Sequence, residues 1–133
     1  MHTTNYHETL ITVSPDTKAQ AGTVPVKQGS IAQLQYALVS ANPYVLTSDD
    51  VLFEVHARRN GIPDAERAEA RAAFFSKGQA CLRASPLVKQ FGWGVHHDAE
   101  GRIALVGVES EDYRALSERA DVKSVPGMRS KRA

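Results

Sequence analysis

The sequence predicts an α+β domain: a small, mainly antiparallel sheet covered by three to four helices. Three stretches carry that prediction. "GWGVHHDAEGRIALVGV" reads as a β-hairpin over about 93–107, because Asp98 opens a turn at Ala99-Glu100 and Gly101 supplies its left-handed residue. "TSDDVLFEVHARRNG" carries a helix signature, with a hydroxyl cap at Thr47 or Ser48, Asp49 and Asp50 at the positive end, and a closing Gly61. "YHETLITV", residues 6–13, is rich in β-branched residues and stops at Ser14-Pro15-Asp16, so it forms an N-terminal strand.

The remaining elements follow in chain order. Residues 17–29 form a loop. Ser30 caps a helix whose apolar positions Ile31, Leu34, Ala37 and Leu38 recur at helical spacing, and Asn42-Pro43 ends it. In "IPDAERAEARAAFFSKG", Pro63 suits a first helical turn, Asp64 and Glu66 suit its dipole, and Gly78 stops it. The hairpin loop sets a register: Asp98 faces Arg102, His97 faces Ile103 and Val95 faces Leu105. Ser110 caps the short helix "EDYRALSERA", and "VKSV" returns as a last edge strand before the basic end "MRSKRA".

The chain has 133 residues, 42% apolar and 23% charged, which fits one globular domain over 1–133. Its longest apolar runs fall far short of the ~20 residues that span a bilayer, so no membrane association is expected. "MHTTNYHETL" has neither a basic start nor an apolar stretch, and a single cysteine forms no internal disulfide; a cytoplasmic location is expected. Residues 1–75 carry six Lys/Arg against eight Asp/Glu and residues 76–133 carry ten against seven, an imbalance too small to indicate a nucleic-acid partner.

Alternation along the hairpin puts Trp93, Val95 and His97 on one face and Gly94 and His96 on the other, with Ala104 and Val106. The adjacent histidines point apart, so no metal site is expected from them. His97 falls among apolar residues. His96 is flanked by Gly92, Gly94 and Ala104, which leave room for a packed helix, another backbone or a ligand.

"SKGQACLRASPLVK" gathers the residue types that hold phosphate or carboxylate groups, foremost Lys77, Arg83 and Lys89, close in sequence to His96. It lacks the Walker order, so either an anion site or a solvated basic loop fits it. Cys81 is either a small buried hydrophobe or, with Lys77 and Arg83 lowering its pKa and His96 as base, a nucleophile.

The blocks "MHTTNY", "NPYVLTSDDVLFEVHA", "FFSKGQACLRASPL", "FGWGVHHDAEGRIALVGVESEDY" and "MRSKRA", in that order, resemble an uncharacterised family of small single-domain microbial proteins. The resemblance implies a stand-alone domain to which "MRSKRA" belongs, and supplies no catalytic residue or substrate. The functional expectation is therefore non-enzymatic binding of a phosphate-bearing or acidic ligand through Lys77, Arg83, Lys89 and His96, with no cofactor. The alternative is a cysteine-dependent enzyme using Cys81 and His96.

Overall fold

The computed structural model describes residues 2–130. Met1 and the last three residues of "MRSKRA", Lys131, Arg132 and Ala133, lie outside them. Four strands, β1 (Thr9–Thr12), β2 (Trp93–His97), β3 (Ile103–Gly107) and β4 (Lys123–Pro126), form one sheet in the order β3-β2-β1-β4. β1 pairs antiparallel with β2, and β2 with β3, while β4 lies parallel to β1. The result is the predicted α+β architecture, with one parallel pair in a mainly antiparallel sheet.

The hairpin register is the one the loop chemistry demands: His97 faces Ile103 and Val95 faces Leu105. Gly101 has φ +80°, and Asp98 Oδ1 accepts the amides of Glu100 and Arg102, each at 2.9 Å. The helices are α1 (Ile31–Ala41), α2 (Ser48–Arg59), α3 (Arg67–Phe74), α4 (Pro86–Lys89) and α5 (Glu111–Glu118). Short 3₁₀ turns at Asp64–Glu66 and Leu82–Ala84 precede α3 and α4. Pro63 therefore leads a 3₁₀ turn into α3, and α3 ends at Phe74, four residues before Gly78.

Thr47, not Ser48, caps α2: its hydroxyl accepts the Asp50 amide at 3.1 Å while the Asp50 carboxylate accepts the Thr47 amide at 3.0 Å. Ser48 is the buried first helical residue, and its hydroxyl meets Thr4 Oγ1 at 2.9 Å. Thr4 also donates from its amide and hydroxyl to Asp49 Oδ1, at 2.7 and 2.6 Å, so the N-terminal segment is tied to the start of α2.

One face of the sheet presents Ile11, Val95 and Ile103 to Leu38 and Val39 of α1, Val51 and Val55 of α2 and Val88 of α4, all buried in one cluster. A second cluster joins Phe53 and Ala57 of α2 to Phe75 behind α3. Arg71 lies over both Phe53 and Phe75 and pairs with Asp50 at 2.9 Å. The opposite face of the sheet carries Leu10, His96, Ala104 and Val106 and is covered by α5. A Cβ on Gly94 would stand 2.7 Å from Tyr113 Cε2 of α5 and 3.0 Å from the Ile11 carbonyl, so helix packing claims this glycine. Gly92, at φ +77°, is met instead by another backbone, that of Ala21 in the 17–29 loop. Among the described residues, no helix is long and apolar enough to cross a membrane.

Candidate functional site

Beside Tyr113, the face covered by α5 opens into a groove of about 470 Å3 lined by Pro43, Tyr44, Ala104, Leu105, Val106, Asp112, Ala115, Leu116 and Arg119. Its walls come from the α1–α2 connection, β3 and α5. Small side chains leave the space: Ala104 on the strand and Ala115 on the helix stand where bulkier residues would close it.

Tyr44 is the polar anchor. Asn42-Pro43-Tyr44-Val45 closes a turn through the Val45 amide and the Asn42 carbonyl, 3.2 Å apart, and Tyr44 occupies its third position with φ +59°. Glycine or asparagine is usual there, and a tyrosine in left-handed backbone is held at a cost of about 1–3 kcal/mol. The conformation aims the ring at His96: the phenol oxygen lies 2.8 Å from His96 Nδ1 and the rings meet edge to face at 5.5 Å. His96 is 8% exposed, and its Nε2 is buried with no hydrogen-bond partner among the described residues. Either the phenol donates to Nδ1 and Nε2 carries the proton, or Nδ1 donates and Nε2 is a bare acceptor. In both cases Nε2 is unanswered.

Glu8 is the other described residue besides glycine at positive φ, +47°, and it too bears on His96. It is pinned from both sides: its amide donates to the Asp98 carbonyl at 3.0 Å and its carbonyl accepts the Lys123 amide at 2.9 Å. Burial holds the His96 pKa below its ordinary value; the Glu8 carboxylate opposes this and the Arg119 guanidinium adds to it. Burial also raises the Tyr44 phenol, helped by Asp98 and Asp112. The pair is accordingly neutral at pH 7, so it recognises by hydrogen bonding, and Arg119 is the groove's cation. Arg119 is half exposed and grips Asp121 through Nε at 2.9 Å and Nη2 at 2.5 Å, leaving Nη1 outside that pair.

Of the sequence-predicted residues, Cys81 and Arg83 both act on Tyr6, and the others fall in different surroundings. Lys77 is exposed in the turn after α3. Arg83 donates from Nε to the Pro126 carbonyl at 2.7 Å, beside the end of β4. Lys89 lines another cavity with Asp16, Lys18 and Gln90. His96 is bonded to the Tyr44 hydroxyl and lies behind the groove's lining residues. Cys81 is partly buried, and its Sγ lies 3.4 Å from the Tyr6 hydroxyl, a phenol that burial and this thiol raise and Arg83 lowers. Tyr6 packs edge-on against His97, on the opposite side of the sheet from His96. Tyr44, Glu8, Asp112 and Arg119 escape a reading by local sequence; the one signal for Tyr44 is a proline-led turn with tyrosine in the position of a glycine.

Comparison with curated proteins and with solved structures gives no match. The profile of one family does match, over residues 1–133, and agrees with the resemblance of the ordered sequence blocks: the chain belongs to DUF6157, a family of unknown function.

Proposed function

We propose that this domain is a non-enzymatic binder of a small anionic ligand, taken into the groove between the Tyr44 turn, β3 and α5. The observation that carries the reading is a strained Tyr44 that lines a groove whose rim bears Arg119 and is bonded from behind to a buried, half-satisfied His96. Strain of this kind persists where the surroundings over-determine it, and it concentrates at ligand sites. Arg119 Nη1 offers donors to a carboxylate or phosphate oxygen, while Ala104, Val106, Ala115 and Leu116 receive an apolar body. His96 keeps its part through Tyr44, and Arg119 takes the charge role that Lys77, Arg83 and Lys89 hold in the sequence-based expectation. The cysteine-dependent reading has less support, because the polar neighbour of Cys81 is a phenol and His96 is engaged with Tyr44.

The test is a titration of ¹⁵N-labelled protein with 4-methylpentanoate, with chloride at matched ionic strength as control. Saturable shifts are expected at Ala104, Leu105, Val106 and Leu116, with affinity about tenfold lower in Arg119→Ala, the size of one charge-assisted hydrogen bond. Shifts gathered at Lys77, Arg83 and Lys89 would move the site to that loop, and the absence of any saturable shift would refute the reading.

A further inference from the structure

β3 is an edge strand, and its open side borders the groove. At the hairpin ends the Asp98 amide donates to the Arg102 carbonyl and the Val108 amide to the Gly92 carbonyl, both at 2.9 Å. Antiparallel pairs alternate between bonded and non-bonded, so Ala104 and Val106 bond to β2 while Ile103, Leu105 and Gly107 direct their amide groups outward. Two of these three are engaged. The Ile103 carbonyl accepts the Tyr44 amide and its N–H donates to the Leu46 carbonyl, each at 2.8 Å; the Gly107 carbonyl accepts the amide and hydroxyl of Ser110. Leu105 is different: among the described residues, neither its N–H nor its C=O makes a hydrogen bond outside the sheet, and its position directs both into the open edge.

Charge gives this edge a direction. α5 starts beyond the C-terminal end of β3, where its capping Ser110 bonds to Gly107, so Asp112 lies toward the Gly107 end. Arg119, two turns later, acts with Asp112 on Tyr44 and without it on His96 and Glu8, toward the Ile103 end. Seven helical residues separate the two charges by about 10 Å along the axis. A three-residue strand spans about 10 Å.

We infer that the ligand of this groove is an extended peptide of about three residues that adds antiparallel to β3. Its middle residue exchanges both backbone hydrogen bonds with Leu105, its ammonium end faces Asp112 and its carboxylate end faces Arg119. This rests on the reading above for where the ligand sits. A parallel peptide would set its carboxylate against Asp112. The antiparallel sense is also the one the chain itself uses at this edge, where Thr47 bridges Arg102. The first and third side chains fall on the Ala104 and Val106 side, where the groove has room for small groups.

The probe is trialanine, compared with its analogue N-methylated at the second residue, its N-acetyl and C-amide forms, and 4-methylpentanoate. Trialanine is expected to shift the Leu105 amide and slow its hydrogen exchange, and the N-methyl analogue to bind about tenfold more weakly. Asp112→Asn should weaken trialanine but not the N-acetyl form, and Arg119→Ala should weaken it but not the C-amide. If trialanine binds no better than 4-methylpentanoate and N-methylation changes nothing, the peptide inference is overturned while the small-anion reading stands. If neither probe binds, both fall. A Leu105 shift that follows protein concentration without added peptide would assign the edge to self-pairing and also overturn the inference.

Discussion

His97 should make this protein acid-labile well above the range where carboxylates titrate. The ring is fully buried, meets Tyr6 edge-on at 5.4 Å, and has no hydrogen-bond partner at either nitrogen among the described residues. Burial pushes its pKa down from 6.5 to about 4, against the nearby Val95 and Thr9 backbone, which favours the charged ring but makes no well-aligned hydrogen bond to it. The folded state therefore keeps His97 neutral where the unfolded chain already takes up a proton. The stability this contributes is complete above pH 6.5 and is lost progressively as the pH falls to about 4, at about 1.4 kcal/mol per pH unit. The total is about 3 kcal/mol, a large share of a small domain's stability. Urea denaturation of wild type and His97→Leu at pH 7.5, 6.0, 5.0 and 4.5 measures it. His96 titrates in the same direction, but it is present in both proteins and cancels. The variant should match or exceed wild type at pH 7.5, because leucine leaves no unpaired polar group, and its advantage should widen steadily on acidification. Parallel stability curves for the two proteins would refute the argument and mean that water or a rearrangement satisfies the protonated ring.

Three substitutions test the packing and capping directly. Gly94→Ala should cost about 1–3 kcal/mol, since its Cβ would be caught between Tyr113 and the Ile11 carbonyl, and a melting temperature equal to wild type would disprove the close approach of α5. Thr47→Ala should lower stability in chemical denaturation by about 1 kcal/mol by opening the capping box of α2. Ser48→Ala removes one partner of Thr4, whose hydroxyl still reaches Asp49, so its loss should be the smaller; the reverse order would place the cap at Ser48.

The elements most legible in the sequence are those decided within a few residues. Asp98 and Gly101 specify the hairpin loop, and a two-residue period then carries the register through to Trp93 and Gly107. The caps at Ser30 and Ser110 are local in the same sense. The candidate groove is not, because its walls come from residues 43–44, 104–106 and 112–119, and nothing short-ranged tells Tyr44 that it will meet His96. Lys77, Arg83 and Lys89 cluster along the chain, yet across a 3₁₀ turn and a one-turn helix Arg83 meets the Pro126 carbonyl and Lys89 lines the cavity beside Asp16 and Lys18. The sense of β4 was equally hidden, since a strand at the end of a chain can join an edge in either direction and alternation is the same in both.

The pairing of β1 with β4 sets Thr9 beside Lys123 and Thr12 beside Pro126, so one half of the sheet joins segments more than a hundred residues apart. On the ribosome, β1 emerges before both its partners: one side waits for the hairpin near residue 93, and the other stays bare until residue 123 is released. A nascent chain must carry this apolar segment, with Leu10 and Ile11 wholly buried in the finished fold, until residues more than eighty positions later have been made. Closure of the sheet is thus held back until residue 126 is released, and a polypeptide cut short before β4 would present the side of β1 as an open template for other chains.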